Sequence, residues 1–271
     1  MMPIFELNKQ NPVVIQVASE GNTLHAPSPL VLFHNDGTLF PYFLLESLGR
    51  DVLGFADTEI APGEHREGSI VEMGAYYYKQ LKASMKPGKI ILGGRFISTP
   101  FEASSRWSFG GLLALEVVNA ITLDKSAGFK VIGLILIDSG HALATDAKST
   151  SLETFQNLLE DDLPRHAPKT VLTSMDPSMK KIAEWKLSRW PQGLDKPPAV
   201  LIRAAEGLNI NCNPPSDFGW RFCEHNVVDS VQIVPRDHFS IFENGNKFRK
   251  GRNPIYQATG LVQALRRYIK L

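Results

Sequence analysis

The sequence has little cysteine, no long apolar run and no excess of charge of one sign, and each absence excludes a class of protein. Cys212 and Cys223 are the two cysteines in 271 residues. Two thiols without other secretory features favour a reduced protein over a disulfide framework. No window approaches the ~20 apolar residues that a membrane-spanning helix needs, so a membrane protein is not expected.

The N-terminus and the charge distribution exclude further classes. The segment from Met1 to Lys9 lacks a basic stretch followed by an apolar run, so we expect no signal peptide and a cytoplasmic or organellar protein. The net charge is +1, with Lys and Arg spread along the chain, which disfavours nucleic acid and anionic membranes as partners. No cluster of potential ligands suggests a metal site. A small molecule or a protein partner is therefore expected.

The apolar pattern predicts an α/β fold in one domain. Short apolar runs alternate with longer helical patterns, as in a mostly parallel central sheet covered by helices on both faces. The predicted strands are Val13 to Val17, Leu30 to Phe33, Val52 to Phe55, Lys89 to Leu92, Val131 to Ile137, Ala199 to Arg203 and Val231 to Val234. The predicted helices are Leu39 to Leu48, Ser69 to Ser84, Phe109 to Ile121 and Tyr256 to Tyr268.

Residues 145–196 interrupt this alternation. They contain charged amphipathic stretches separated by prolines at positions 164, 168, 177 and 191. We interpret them as a helical insertion between two core strands. Insertions at the carboxyl ends of such strands commonly carry function, so a lid over a binding site is expected, with a surface excursion as the alternative.

A serine motif follows the fourth predicted strand. Trp107-Ser108-Phe109-Gly110-Gly111 opens a helical stretch and resembles the G-x-S-x-G nucleophile elbow, in which a serine occupies a sharp strand-to-helix turn. Arg106 stands where the first glycine belongs. The strand itself ends in Gly93-Gly94, and removal of residues 95–106 would restore the motif. Residues 95–106 are therefore predicted to be an atypical insertion before the elbow.

A serine nucleophile needs a histidine base and an acid that orients it. In α/β-hydrolases these follow the serine in the order acid, then histidine. His238 lies after the last predicted strand, where this order requires the base. Asp138 and Glu206 each follow a predicted strand and are the two candidate acids, with Asp138 preferred because Asp138-Ser139-Gly140 ends its strand abruptly.

An acyl-transfer site also needs two backbone N–H donors for the tetrahedral oxyanion. One is predicted to be the amide of Phe109, directly after the serine. The other is predicted in the loop after an early strand, at Asp36 or one residue to either side, where Gly37 permits close approach.

These motifs together resemble the thioesterase domains of non-ribosomal peptide and polyketide synthases, particularly stand-alone fungal thioesterases of secondary-metabolite or toxin gene clusters. The matching segments, in order, are Leu30 to Gly37, Trp107 to Gly111, Leu134 to Ser139, Phe218 to Trp220 and Val234 to Ser240. The resemblance implies an α/β-hydrolase fold, a lid and no cofactor. It also implies an acyl, polyketide or peptidyl chain that passes from the phosphopantetheine thiol of a carrier protein to Ser108 before release.

Residues 95–106 leave three interpretations open. They are a true insertion that still returns Ser108 to the elbow, an insertion that separates strand from elbow and impairs catalysis, or an error in the gene model. Steric considerations at Arg106 favour the second and third. The alternative functions are an esterase of free small-molecule esters and a catalytically impaired homologue that binds a synthase.

Overall fold

The computed structural model describes residues 11–18, 26–34, 39–59, 66–95, 109–141, 181–182, 184–187, 190, 195–206, 216–223, 225–237, 241–242 and 260–269. Within these ranges the chain forms a 7-stranded sheet. The strands are β1 (Val13–Gln16), β2 (Leu30–Phe33), β3 (Val52–Phe55), β4 (Lys89–Gly94), β5 (Lys130–Ile137), β6 (Ala199–Glu206) and β7 (Ser230–Asp237).

The sheet is parallel except at one edge. Its strand order is β1-β3-β2-β4-β5-β6-β7, and β1 pairs antiparallel with β3 while the other neighbours run parallel. The carboxyl ends of β2 to β7 therefore meet at one side of the sheet. In open α/β sheets this is the side at which ligands bind.

Three described helices pack against the sheet: α1 (Ile70–Ser84), α2 (Phe109–Leu123) and α3 (Gly260–Tyr268). The helix α1 begins at a capping box, in which Ser69 accepts from the Glu72 N–H and the Glu72 carboxylate accepts from the Ser69 N–H. None of the described helices is long and apolar enough to cross a membrane.

The core lies on both faces of the sheet, because neighbouring strand residues point to opposite sides. On β2, Val31 and Phe33 pack with α1 and α2, whereas Leu30 and Leu32 pack with α3. The residues Leu134 to Ile137 of β5 are all buried. A continuous apolar run is expected of a parallel strand covered on both faces.

The structure confirms the α/β prediction and each predicted strand, and it lengthens β4, β6 and β7 at their carboxyl ends. The predicted helix over Leu39 to Leu48 is wrong: the chain forms a short 3₁₀ helix over Phe40–Leu44 and continues in extended conformation. The physical reason is that the buried residues of this segment are three positions apart. Leu39, Tyr42, Leu45 and Leu48 are all buried, which suits the three-residue period of a 3₁₀ turn better than an α-helix.

Two predictions fall largely outside the described residues. Of the predicted lid, residues 145–180 are not described, and residues 181–182 and 184 are helical, so the lid stays a prediction. Cys212 is also outside the described residues, while Cys223 is buried. The predicted last helix is described from Gly260 onward.

Candidate active site

Those predicted site residues that the structure describes lie at the carboxyl ends of the strands. Asp138 directly follows β5, Glu206 ends β6, and Phe109 is the first residue of α2. The backbone of Phe109 and Glu206 is described but their side chains are not. Ser108, Asp36 and His238 lie outside the described residues; in the sequence, Ser108 directly precedes α2 and His238 directly follows β7.

The first turn of α2 lies against the ends of β2 and β4 at a distance that only glycine permits. A Cβ on Gly110 would lie 2.6 Å from the Arg95 carbonyl oxygen and 2.7 Å from that of Phe33. A Cβ on Gly94 would lie 2.2 Å from the Gly110 carbonyl oxygen. These close approaches involve backbone atoms, so a side chain at either glycine would push strand and helix apart.

The same turn of α2 also meets the end of β5. A Cβ on Gly111 would lie 2.1 Å from Oγ of Ser139, the residue after Asp138. The helix that follows the predicted nucleophile is therefore in contact with the loop that carries the preferred acid. The glycine at position 111 is what allows the contact.

The contact of β4 with α2 bears on the predicted insertion. Arg95, its first residue, continues directly from β4, is fully buried and touches Gly110 with its backbone. The chain thus leaves the end of β4 at residue 95 and resumes in α2 beside it. The end of β4 and the start of α2 are therefore in contact, while residues 96–108 lie outside the described residues, so the three interpretations of the insertion stay predictions.

Asp138 is held at the end of β5 by its backbone and its side chain. Its N–H donates to the Ile202 carbonyl (2.7 Å), and its Oδ1 accepts from the Ala204 N–H (2.8 Å). Its φ is +50°, a left-handed conformation that aspartate adopts more readily than most residues. The residue is 6% exposed. Two hydrogen bonds to backbone atoms, one from the Asp138 N–H and one to its carboxylate, therefore fix Asp138 against β6.

The ends of β6 and β7 carry an irregularity beside the predicted histidine. The register passes from Ala204↔Val234 to Glu206↔Asp237, so β7 has one residue more than β6 over this interval. Within it, Arg236 has φ of +102°, a strained conformation for a residue with a side chain. Bulges of this kind re-aim the residues that follow them, and His238 is the next residue after β7.

An aromatic cluster beyond Asp138 was not predicted. Trp220 Nε1 donates to the Ser139 carbonyl (2.8 Å), and the ring centroid of His141 lies 5.3 Å from that of Trp220 and 5.9 Å from that of Trp185. Burial lowers the pKa of His141 because the charged imidazolium loses its hydration. The resemblance had singled out Phe218 to Trp220, but it did not indicate that Trp220 supports the acid loop.

The described residues contain no group of three or more His, Cys, Asp or Glu side chains that could hold a metal ion. The described groups are a buried carboxylate, Asp138, held against β6, and the N-terminus of α2, which contacts the next residue, Ser139. The first N–H groups of a helix have no partner within it and lie at the positive end of the helix dipole. Such an N-terminus favours developing negative charge.

The sequence was compared with known proteins. No protein-family model matches it. It is 43% identical over 239 residues to the thioesterase AMT4 of Alternaria alternata, and the alignment covers 88% of this chain and 87% of AMT4. The chain belongs to the fungal thioesterases. It is thus a hydrolase of thioester bonds.

Solved structures support the fold of this thioesterase. The NocB thioesterase domain, solved in covalent complex with a fluorophosphonate nocardicin G analogue, is similar with a TM-score of 0.58 and 21% identity, over 89% of this chain and 94% of that domain. YbtT, a type II thioesterase from the yersiniabactin NRPS/PKS biosynthetic pathway, is similar with a TM-score of 0.50 and 16% identity, over 88% and 95% of the two chains. Both identities are low, so these likenesses show the α/β-hydrolase fold alone.

The glycine contacts predict that Gly110→Ala impairs the thioesterase. The added Cβ displaces the first turn of α2 from β4, at an overpacking cost of about 1–3 kcal/mol, and a displacement of ~1 Å at an active site can cost about 100-fold in rate. Thiol release from an acyl thioester and the midpoint of thermal unfolding measure both effects. The matched control is Gly88→Ala, where nothing lies within 4 Å of the added Cβ. Equal activity of the two variants would contradict the prediction.

Proposed function

We propose that this thioesterase releases an acyl, polyketide or peptidyl chain from the phosphopantetheine thiol of a carrier protein, through a Ser108–Asp138–His238 triad. The observation that carries the proposal is the contact of Gly111 with Ser139. It joins the first turn of α2, which Ser108 precedes, to the loop of Asp138. The helix that the proposed nucleophile directly precedes thus touches the residue after the proposed acid.

In the proposed reaction, His238 takes the proton of the Ser108 hydroxyl while the serine oxygen attacks the thioester carbonyl. The backbone N–H groups of Phe109 and Asp36 stabilise the resulting oxyanion. The tetrahedral intermediate collapses, the C–S bond breaks, and the thiolate leaves and is protonated. Water then attacks the acyl-serine, with His238 again as the base, and releases the acid and free Ser108.

The surroundings of Asp138 support its assignment as the acid. A triad acid must hold the imidazole in one tautomer and orientation, which requires a carboxylate that is itself immobile. The hydrogen bond from the Ala204 N–H to Oδ1 and the burial of the residue meet this need. Glu206 is the alternative, because its backbone is paired in register with Asp237, the residue before His238.

The carrier-protein substrate rests on the resemblance of the sequence motifs to synthase thioesterase domains, and the pathway context on the proteins that this chain is similar to. The type II thioesterase YbtT belongs to an NRPS/PKS pathway, and the NocB domain takes a nocardicin G analogue. We carry over the secondary-metabolite context to this chain together with the phosphopantetheine-bound substrate.

Fluorophosphonate labelling tests the nucleophile. The probe phosphonylates an activated serine, and peptide mapping is expected to find the adduct on Ser108, with none formed by Ser108→Ala. We also expect Ser108→Ala to lose about 10⁴-fold or more in kcat/KM. Ser104 and Ser105 lie close by in the sequence and serve as internal controls. An adduct on either of them, or no adduct on folded protein, would overturn the proposed nucleophile.

Asp138→Asn and Glu206→Gln separate the two candidate acids. An asparagine side chain keeps an oxygen that can accept from the Ala204 N–H and also tolerates the left-handed backbone, so the fold is retained while the charge is lost. We expect kcat to fall by about 10³- to 10⁴-fold in Asp138→Asn. Glu206→Gln should retain activity close to that of the unaltered protein. The opposite result would assign the role to Glu206.

The substrate class is tested with matched thioester and oxygen ester pairs. Acyl-pantetheine thioesters, the same acyl groups on a carrier protein, and the corresponding oxygen esters are compared by kcat/KM. We expect the highest kcat/KM for the carrier-bound thioester, since binding of the remote carrier adds to transition-state stabilisation. A strong preference for the oxygen esters would instead identify an esterase of free small molecules.

A further inference from the structure

Tyr42 joins the ends of two strands that lead into the proposed site. Its hydroxyl oxygen accepts from the Arg95 N–H at 2.8 Å. The same hydroxyl lies within donating distance of the Phe33 carbonyl (2.9 Å) and the Arg95 carbonyl (3.1 Å). Phe33 ends β2, before the loop of Asp36, and Arg95 follows β4, before the segment that leads to Ser108. The Tyr42 side chain thus links the last residue of β2 to the residue after β4.

The ring of Tyr42 extends this connection to a third segment. It meets Phe242 edge-on, with 5.8 Å between the ring centroids, and meets His34 in the same way at 5.8 Å. Phe242 lies after β7 in the segment that follows His238 in the sequence. Tyr42 therefore contacts elements connected to each of the proposed oxyanion loop, nucleophile and base.

Arg95 strengthens the contact with the third segment. Its guanidinium carbon lies 4.7 Å from the centroid of the Phe242 ring, within the range of a cation–π interaction. Tyr42, Arg95 and Phe242 are each at most 2% exposed, so these contacts form in a desolvated interior. Hydrogen bonds and cation–π contacts there are stronger than at a surface.

We propose that Tyr42 is a positioning residue, whose hydroxyl and ring set the spacing between the oxyanion loop, the elbow and the histidine loop. The inference rests on the proposed function, since it assigns Tyr42 to the same site. The role is one of position, with no proton or bond transferred by the tyrosine. It arises because the segments after β2, β4 and β7 have separate origins, and Tyr42 contacts Phe33, Arg95 and Phe242, one residue beside each segment.

The test is Tyr42→Phe, which keeps the ring and removes the hydroxyl that links Phe33 to Arg95. We expect kcat to fall by about 10- to 100-fold, as a misplacement of up to ~1 Å would produce, while KM changes by less than about threefold. The rate of fluorophosphonate labelling at Ser108 should fall in parallel, because that rate reports the nucleophile independently of substrate binding.

The matched control is Tyr268→Phe. The Tyr268 hydroxyl donates to the carbonyl of Pro198, which precedes β6 and lies at the amino ends of the strands. This variant therefore removes the same hydroxyl oxygen at a position distant from the proposed site. Phe242→Leu is the second variant; it removes the ring contact, leaves the hydroxyl bonds and should lower kcat by a smaller factor. Thermal unfolding of each variant shows that the assayed protein is folded.

Equal kcat and labelling rate in Tyr42→Phe and Tyr268→Phe would overturn the positioning role, provided that Ser108→Ala is inactive in the same assay. A kcat loss that merely follows the unfolded fraction would also overturn it. Retention of activity by Ser108→Ala would instead overturn the proposed function, and the role of Tyr42 with it. The Ser108→Ala arm therefore distinguishes the two failures.

Discussion

The structure of the site depends on the close approach of the first turn of α2 to the ends of β2, β4 and β5. Backbone atoms of neighbouring elements occupy the space where a Cβ on Gly94 or Gly110 would stand, and the Ser139 side chain does so at Gly111. None of these three glycines has a positive φ. Glycine is therefore needed here because it has no side chain. This contact brings the helix N-terminus to the strand that carries Asp138.

The segment before the elbow is accommodated without loss of this contact. Arg95 lies at the end of β4, and the first turn of α2 packs against its backbone. Residues 96–108 therefore connect two elements that are in contact. The departure from the G-x-S-x-G pattern at Arg106 is therefore compatible with an intact strand and helix, although the pattern alone had favoured disruption.

Buried polar contacts to the backbone hold the carboxyl edge around that helix. Asp138 accepts from the Ala204 N–H, Trp220 donates to the Ser139 carbonyl, and the Tyr42 hydroxyl contacts Phe33 and Arg95. Three of these contacts, Asp138 to Ala204, Trp220 to Ser139 and Tyr42 to Arg95, join residues far apart in the sequence. Buried groups of this kind are costly to leave unpaired, and the loops are thereby anchored at their origins.

The strands, the order of the candidate residues and the thioesterase family could all be predicted from the sequence, because apolar runs and motif order are local and need no partner to be recognised. The sequence could not reveal the contact of Arg95 with Gly110 or the support that Trp220 gives to Ser139. These depend on which distant segments meet. Chain order allowed both Asp138 and Glu206 as acids, and only the fold provides the hydrogen bond from Ala204 that favours Asp138. Contacts of this kind are decided by tertiary structure, because a buried polar group is placed by partners that its own sequence neighbourhood does not contain, while the choice of acid stays a proposal.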